Sequence, residues 1–242
     1  AFTNSPLSEY MVHYKGNLKQ KISKEEVTPD VNLPRYRQLA DLVRTYATDS
    51  IVEVGTWNGG RAIEMSLAAF EKTDTLHYTG FDLFENATTE TDELEFNDKA
   101  HNALEAVTKR LTEFAEKMKE KDKTFTFNLY KGDSKKTLKK HRSKLKNVSF
   151  AFIDGGNSEK TKKADYDNLD HVPVIVFNNF FSKDQEGKIV DEKHQTVNRF
   201  VKSLKGKRIT VLPSQDRVKD GGHTHLAVLL NDDDLPDLPV EF

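Results

Sequence analysis

Ser50-Ile51-Val52-Glu53-Val54-Gly55-Thr56-Trp57-Asn58-Gly59-Gly60-Arg61 decides how the rest of the chain is read. The stretch begins as a β-branched run, the pattern of a buried strand, and breaks into a loop punctuated by glycines. Beyond it, Ile63, Leu67, Ala68 and Phe70 recur at roughly helical spacing, so the unit reads strand, tight turn, helix. Glycine is required where a ligand lies against the main chain or where φ is positive. The helix start offers backbone N–H groups, and Glu53 supplies a carboxylate at the strand's end. A nucleotide-type ligand is the natural expectation. A dinucleotide site wants G-x-G-x-x-G, whose second glycine lets the pyrophosphate approach the backbone. Counted from Gly55, that position holds Trp57, the largest side chain where the smallest is needed. This argues against a nicotinamide-dependent oxidoreductase.

What is left is E-x-G-x-x-x-G, from Glu53 through Gly55 to Gly59. It resembles motif I of the class I S-adenosylmethionine-dependent methyltransferases, whose ligand has no pyrophosphate. The resemblance implies that Glu53, Gly55 and Gly59 frame the methionine part of the cofactor, with Thr56 and Trp57 of the same loop among its contacts. Leu76 to Leu83 reads as a second strand ending at Asp82. An acid about 20 residues past the glycine loop is where a nucleoside-binding α/β unit bonds the ribose hydroxyls. Asp82, with Leu83 beside it, takes that place, although a strand-terminal Asp can also cap a turn. Thr124 to Tyr130 alternates as a third strand and runs into Gly132-Asp133-Ser134. The resemblance places Asp133 or Ser134 near the adenine ring, and either residue also suits a helix cap.

Val148 to Gly156 is an apolar fourth strand ending in Asp154-Gly155-Gly156-Asn157-Ser158, and Val172 to Phe181 is a fifth ending in Asn178-Asn179. Arg208 to Leu212 and His225 to Leu230 are joined too closely for a helix and are expected to be antiparallel neighbours. Between the strands, Tyr36, Leu39, Ala40, Val43 and Tyr46 mark one helix, Ala100 to Met118 a strongly striped one, and Val197 to Leu204 the last. Lys135 to Lys146 is lysine-rich, which reads as a solvated helix face. Glu85 to Glu95 is acidic and without period, a long connection that is either a lid or a solvated insertion.

Strands alternating with helices predict a Rossmann-like α/β fold: seven strands, mostly parallel, an antiparallel C-terminal hairpin, and helices on both faces. The expected division is an N-terminal arm over 1–32 and one methyltransferase-like domain over 33–242. Glu53, Gly55, Asp82, Asp133, Asp154 and Asn178 all fall at carboxyl ends of expected strands, where such sheets bind ligands.

Phe152-Ile153-Asp154-Gly155-Gly156-Asn157-Ser158, with Asp82 and the polar pair at 178 and 179, is similar to the small-molecule O-methyltransferases related to macrocin O-methyltransferase. Cephalosporin hydroxylase-like proteins belong to the same wider group. There the fourth strand ends in I-D-G-x-H and the fifth in two aspartates, and these acids can hold a divalent metal. This chain keeps Asp154 but has Asn157, Asn178 and Asn179 at the other places. One carboxylate and two amides make a weak site for a hard cation, so a divalent metal is doubtful and no metal ligand is assigned. Asp154 is the expected base, with His194 as the other catalytic candidate. His101 and His171 could also overhang the acceptor. His223 and His225 share one face of a strand and read as an exposed pair.

Composition adds bounds. With 37 basic and 39 acidic residues the formal charge is −2, no reason to expect nucleic acid or an anionic membrane. No aromatic-and-basic platform points to RNA or DNA as acceptor. Cysteine is absent, excluding disulfides and thiolate chemistry. No stretch reads as a signal peptide or membrane span, so a cytoplasmic enzyme with a small-molecule acceptor, open to homo-oligomerisation, is the expectation. A methyltransferase-like binding protein without catalysis is the alternative that the substitutions at 157, 178 and 179 keep open.

Overall fold

A computed structural model describes residues 34–182, 192–214, 216–218 and 222–238. The arm expected over 1–32 lies outside the described residues, as does the side chain of His194.

Helix α1 (Arg35–Tyr46) begins behind Pro34 and leads into strand β1 (Ser50–Val54). The glycine loop then starts α2 (Gly60–Ala69), followed by β2 (Thr75–Asp82). The acidic connection is not an irregular loop. It holds a short 3-10 turn (Phe84–Asn86) and helix α3 (Thr89–Glu95), capped reciprocally by Thr88 and Thr91. No residue of α3 is buried, so an apolar stripe could not announce it. The striped helix α4 runs Leu104–Lys119, leaving Ala100 and Ala103 in the loop before it. Then come β3 (Thr124–Lys131), α5 (Ser134–His141) with a 3-10 turn behind it, β4 (Phe150–Ile153), α6 (Glu159–Leu169) and β5 (Val174–Ser182). Helix α7 (Glu192–Ser203), β6 (Arg208–Val211) and β7 (His223–Leu230) complete the described chain.

The seven strands form one sheet in the order β3-β2-β1-β4-β5-β7-β6. Strands β1 to β5 pair in parallel, and β7 runs antiparallel to both β5 and β6. One core packs α1, α2 and α4 on one face, around Leu39, Met65, Leu111 and Val176. The other packs α5, α6 and α7 on the opposite face, around Leu138, Leu169, Phe177 and Val201. Strand order reverses between β1 and β4, so loops leaving their carboxyl ends diverge and open a crevice there.

Helix α6 is a second element that apolar spacing does not reveal. Its buried residues are Thr161, Lys162, Asp165 and Leu169, so most of its inward face is polar. The Ser134 hydroxyl donates to Asp165 Oδ1 at 2.6 Å. Burial pushes the Asp165 carboxyl up to about 7, against the opposing pull of Ser134 and Lys162. A carboxyl raised in the folded state contributes stability that is present below its ordinary value near 4 and is lost as pH rises through about 7. The thermal midpoint is therefore expected to fall between about pH 4 and 7, and Asp165→Asn to flatten that slope. An unchanged slope in the variant would assign the dependence elsewhere.

Candidate active site

At the carboxyl end of β1 the chain turns through Gly55, with φ +95°. Its N–H donates to the Phe81 carbonyl at 2.8 Å, and the Asp154 N–H donates to the Val54 carbonyl at 2.8 Å. A Cβ at position 55 would stand 2.3 Å from the Asp154 carbonyl oxygen. Only glycine permits β1 and β4 to end this close together. Gly59, with φ +78°, precedes α2, and a Cβ there would meet Val107 at 3.2 Å. Its role is helix packing, and it does not line the cavity described next.

A cavity of about 760 Å³ opens over this edge. It brings together Glu53, Gly55, Thr56, Trp57, Asp82, Leu83, Asp133, Ser134 and Asp154, the residues proposed from sequence other than Gly59 and His194. Glu53 is fully buried and accepts the Tyr78 hydroxyl at 2.6 Å. Its Oε2 has no hydrogen-bond partner among the described residues. Burial raises the Glu53 carboxyl well above its ordinary value, with the Tyr78 hydrogen bond opposing. A buried polar atom left unpaired beside a cavity costs free energy unless a ligand completes it.

Asp82 is fixed by two backbone donors, Trp57 N–H and Phe84 N–H, each at 2.8 Å. Burial raises its carboxyl, and those two N–H groups pull the other way. With one bond on each oxygen, both oxygens keep lone-pair capacity for hydroxyl donors. Trp57 holds a positive φ of 50° and ties its indole N–H to the Ala100 carbonyl at 2.9 Å. The bulky residue thus folds outward over the lip while its backbone serves the acid. Asp133 caps α5 by accepting from Lys135 N–H at 3.0 Å. The Ser134 hydroxyl is committed to Asp165. Helix α3 forms one wall of the cavity, and Glu95 at its end clasps the loop after β4. It accepts from Ser158 N–H at 2.9 Å and from the Thr161 hydroxyl at 2.5 Å.

The far end of the cavity is built on β5. Its pairing with β7 slips by one residue between Phe177 and Phe180, and Asn179 adopts φ +64°. In a regular strand consecutive side chains face opposite ways. This bulge instead brings Asn178 and Asn179 to the same group. Arg35, from the first turn of α1, donates from Nη1 to Asn178 Oδ1 at 2.9 Å, to Asn179 Oδ1 at 3.4 Å and to Thr224 Oγ1 at 3.0 Å. Its Nε donates to Asp216 Oδ2 at 2.9 Å. The amide nitrogens point the other way, Asn178 Nδ2 to Asp154 Oδ1 at 2.8 Å and Asn179 Nδ2 to Asn157 Oδ1 at 3.0 Å. Two guanidiniums lie over the Tyr36 ring, that of Arg35 at 4.8 Å and that of Arg61 at 3.3 Å from its centroid. Burial and the nearby Asp154 raise the Tyr36 hydroxyl.

A divalent metal does not fit these donors. Among the described residues there is no group of three or more His, Cys, Asp or Glu that could hold one. The amide oxygens near Asp154 already accept N–H groups. A dication about 4 Å from the Arg35 charge would meet repulsion of roughly 8 kcal/mol at an effective dielectric of about 20.

The histidines separate cleanly. His101 lines the cavity and pairs with Asp92 at 2.7 Å. His171 faces the Leu145 carbonyl at 2.9 Å, outside the cavity lining. His223 and His225 are half-buried rather than exposed, and His225 Nδ1 bonds the Leu212 carbonyl at 2.8 Å. Sequence reasoning missed Arg35, Arg61 and Glu95. Arg61 carried a signal: a cation in the first turn of a helix opposes the helix dipole and so asks for another purpose.

No protein-family model and no curated protein matches the chain. Solved structures do. CalS11, a calicheamicin methyltransferase, is 14% identical over 94% of this chain and 93% of its own, with a TM-score of 0.54. The O-methyltransferase TomG from Streptomyces achromogenes, in complex with SAM, is 14% identical over 95% and 91%, with a TM-score of 0.51. The O-methyltransferase from Bacillus cereus, in complex with SAH, is 15% identical over 95% and 92%, with a TM-score of 0.50. Identity this low speaks to architecture, and with the strand order and the glycine turn it shows that the chain has the class I S-adenosylmethionine-dependent methyltransferase fold.

Proposed function

We propose that the protein is an S-adenosylmethionine-dependent methyltransferase that methylates an oxygen of a small molecule. The observation that carries this reading is the unpaired, buried Oε2 of Glu53 in the same cavity as the doubly anchored Asp82. Glu53 and the Gly55 turn would hold the amino-acid end of the cofactor, Asp82 its ribose, and the Asp133 loop its adenine. When bound, S-adenosylmethionine supplies an activated methyl group, so the protein's work is largely positioning. Asp154, which lines the cavity and is held by Asn178 Nδ2, accepts the acceptor's proton. A cavity of about 760 Å³ suits a small-molecule pair. Several solved structures of this fold are O-methyltransferases, in keeping with the reading. A cytoplasmic enzyme without nucleic-acid partners is the form it takes.

Calorimetric titration with S-adenosylhomocysteine, and separately with NAD, tests it. Micromolar binding of the first and none of the second is expected. Absence of S-adenosylhomocysteine binding would return the glycine turn to architecture alone.

A further inference from the structure

At the cavity's far end the Arg35 guanidinium is gripped by side chains from several parts of the chain. The Arg35 Nη1 atom is surrounded by three oxygens, those of Asn178, Asn179 and Thr224, at 2.9–3.4 Å. Its Nε is held by Asp216, and its side chain is 16% exposed. Three elements converge on it: the first turn of α1, the β5 bulge and β7. Such a grip fixes a guanidinium in place more firmly than a surface ion pair does. Nη2 takes part in none of these bonds, and Arg35 lines the cavity. One link away, Asn178 connects Arg35 to the Asp154 carboxylate through opposite ends of its amide. Cation and base are thus set side by side by one side chain.

We propose that the Arg35 guanidinium stands in for a divalent cation in the acceptor pocket, which therefore takes an ionisable hydroxyl, phenolic or enolic, and holds its oxygen as an oxyanion. The hydroxyl's O–H bond breaks, its proton passes to the Asp154 carboxylate, and the oxygen keeps the electron pair beside Arg35. Charge supports the assignment. Asn178 and Asn179, whose oxygens accept from Arg35 Nη1, are neutral amides, and the single guanidinium charge is offset by the Asp216 carboxylate that its Nε meets. Arg35 suits the role because its guanidinium presents a planar fork of N–H donors to oxygen. This inference rests on the methyltransferase reading above.

Two probes test it, both on the full chain saturated with S-adenosylhomocysteine. In the first, Mn²⁺ is titrated and free Mn²⁺ is followed by electron paramagnetic resonance. The wild-type protein is expected to leave the signal undiminished. The triple variant Arg35→Met, Asn178→Asp, Asn179→Asp is expected to attenuate it. Stoichiometric attenuation by the wild type overturns the proposal whether or not the variant folds. In the second, the ionisation of 4-nitrophenol is read by absorbance. The wild type should move the midpoint of the bound probe down by a pH unit or more, and Arg35→Met should restore the solution value. A wild-type protein that leaves the probe's spectrum unchanged at every pH also overturns it. Calorimetry alongside separates the two levels. Loss of S-adenosylhomocysteine binding in the wild type refutes the cofactor reading, whereas retained binding with Mn²⁺ uptake refutes only the role of Arg35.

Discussion

Asp82→Ala is expected to weaken S-adenosylhomocysteine binding by about 30- to 100-fold. The carboxylate's two oxygens each take one backbone N–H, from Trp57 and Phe84, at 2.8 Å. That arrangement holds the acid still while leaving lone pairs on both oxygens, which the proposed ribose hydroxyls would use. Hydrogen bonds to a charged acceptor contribute roughly 1.5–3 kcal/mol, and about 1.4 kcal/mol is tenfold in affinity. A loss of about 2–3 kcal/mol is thus a moderate expectation. Removing the carboxylate also frees the Trp57 and Phe84 amides, so the loop could loosen and weaken binding indirectly. Asp82→Asn separates the contributions, since its amide oxygen still accepts but its nitrogen faces a donor. Calorimetry on both variants, with thermal midpoints measured without ligand, is the required set. Affinity unchanged in Asp82→Ala would mean the ribose does not sit there.

Gly55→Ala is expected to destabilise the fold by about 3 kcal/mol or more, a fall in melting temperature of roughly 6–12 °C for a chain of this size. Two causes add. The residue holds φ +95°, and its new Cβ would lie 2.3 Å from one backbone oxygen and 2.6 Å from the carbonyl carbon. Neither atom is the flexible end of a side chain, so relief requires the end of β4 to move. Gly206 provides the comparison: its φ is +75°, and an added methyl would have nothing within 4 Å. Gly206→Ala should cost only the conformational strain, about 1 kcal/mol. If the two substitutions proved equal in melting experiments, the contact between β1 and β4 would not be the constraint it looks to be.

The strands were legible in the sequence because parallel strands buried on both faces must be apolar throughout, as Phe150–Ile153 and Val174–Phe177 are. Strand ends followed, and with them the cavity residues Glu53, Asp82 and Asp154, since ligands in such sheets gather at one edge. Helix α4 was equally plain from its stripe. What escaped has a common cause. Helix α6 buries Lys162 and Asp165, and α3 buries nothing, so neither shows a hydrophobic period. Arg35 escaped because its partners lie more than 140 positions away along the chain, and no local pattern encodes such a meeting. Tyr36 illustrates the limit from the other side. Its helical spacing marked it as core, and it does pack against the core while also lining the cavity.

The slip in β5 gives the strand a change of phase. Up to Phe177, Val174 and Val176 belong to one core, Ile175 and Phe177 to the other. Uninterrupted alternation would send Phe180 to the side of Val176. Instead Phe180 packs with Ile175 and Phe177, and Phe181 turns to the cavity. The strand therefore counts as odd before the bulge and even after it. Substituting either asparagine changes one side chain, but removing one would exchange inside for outside at every position beyond. At this point of the chain, length is under tighter physical control than identity.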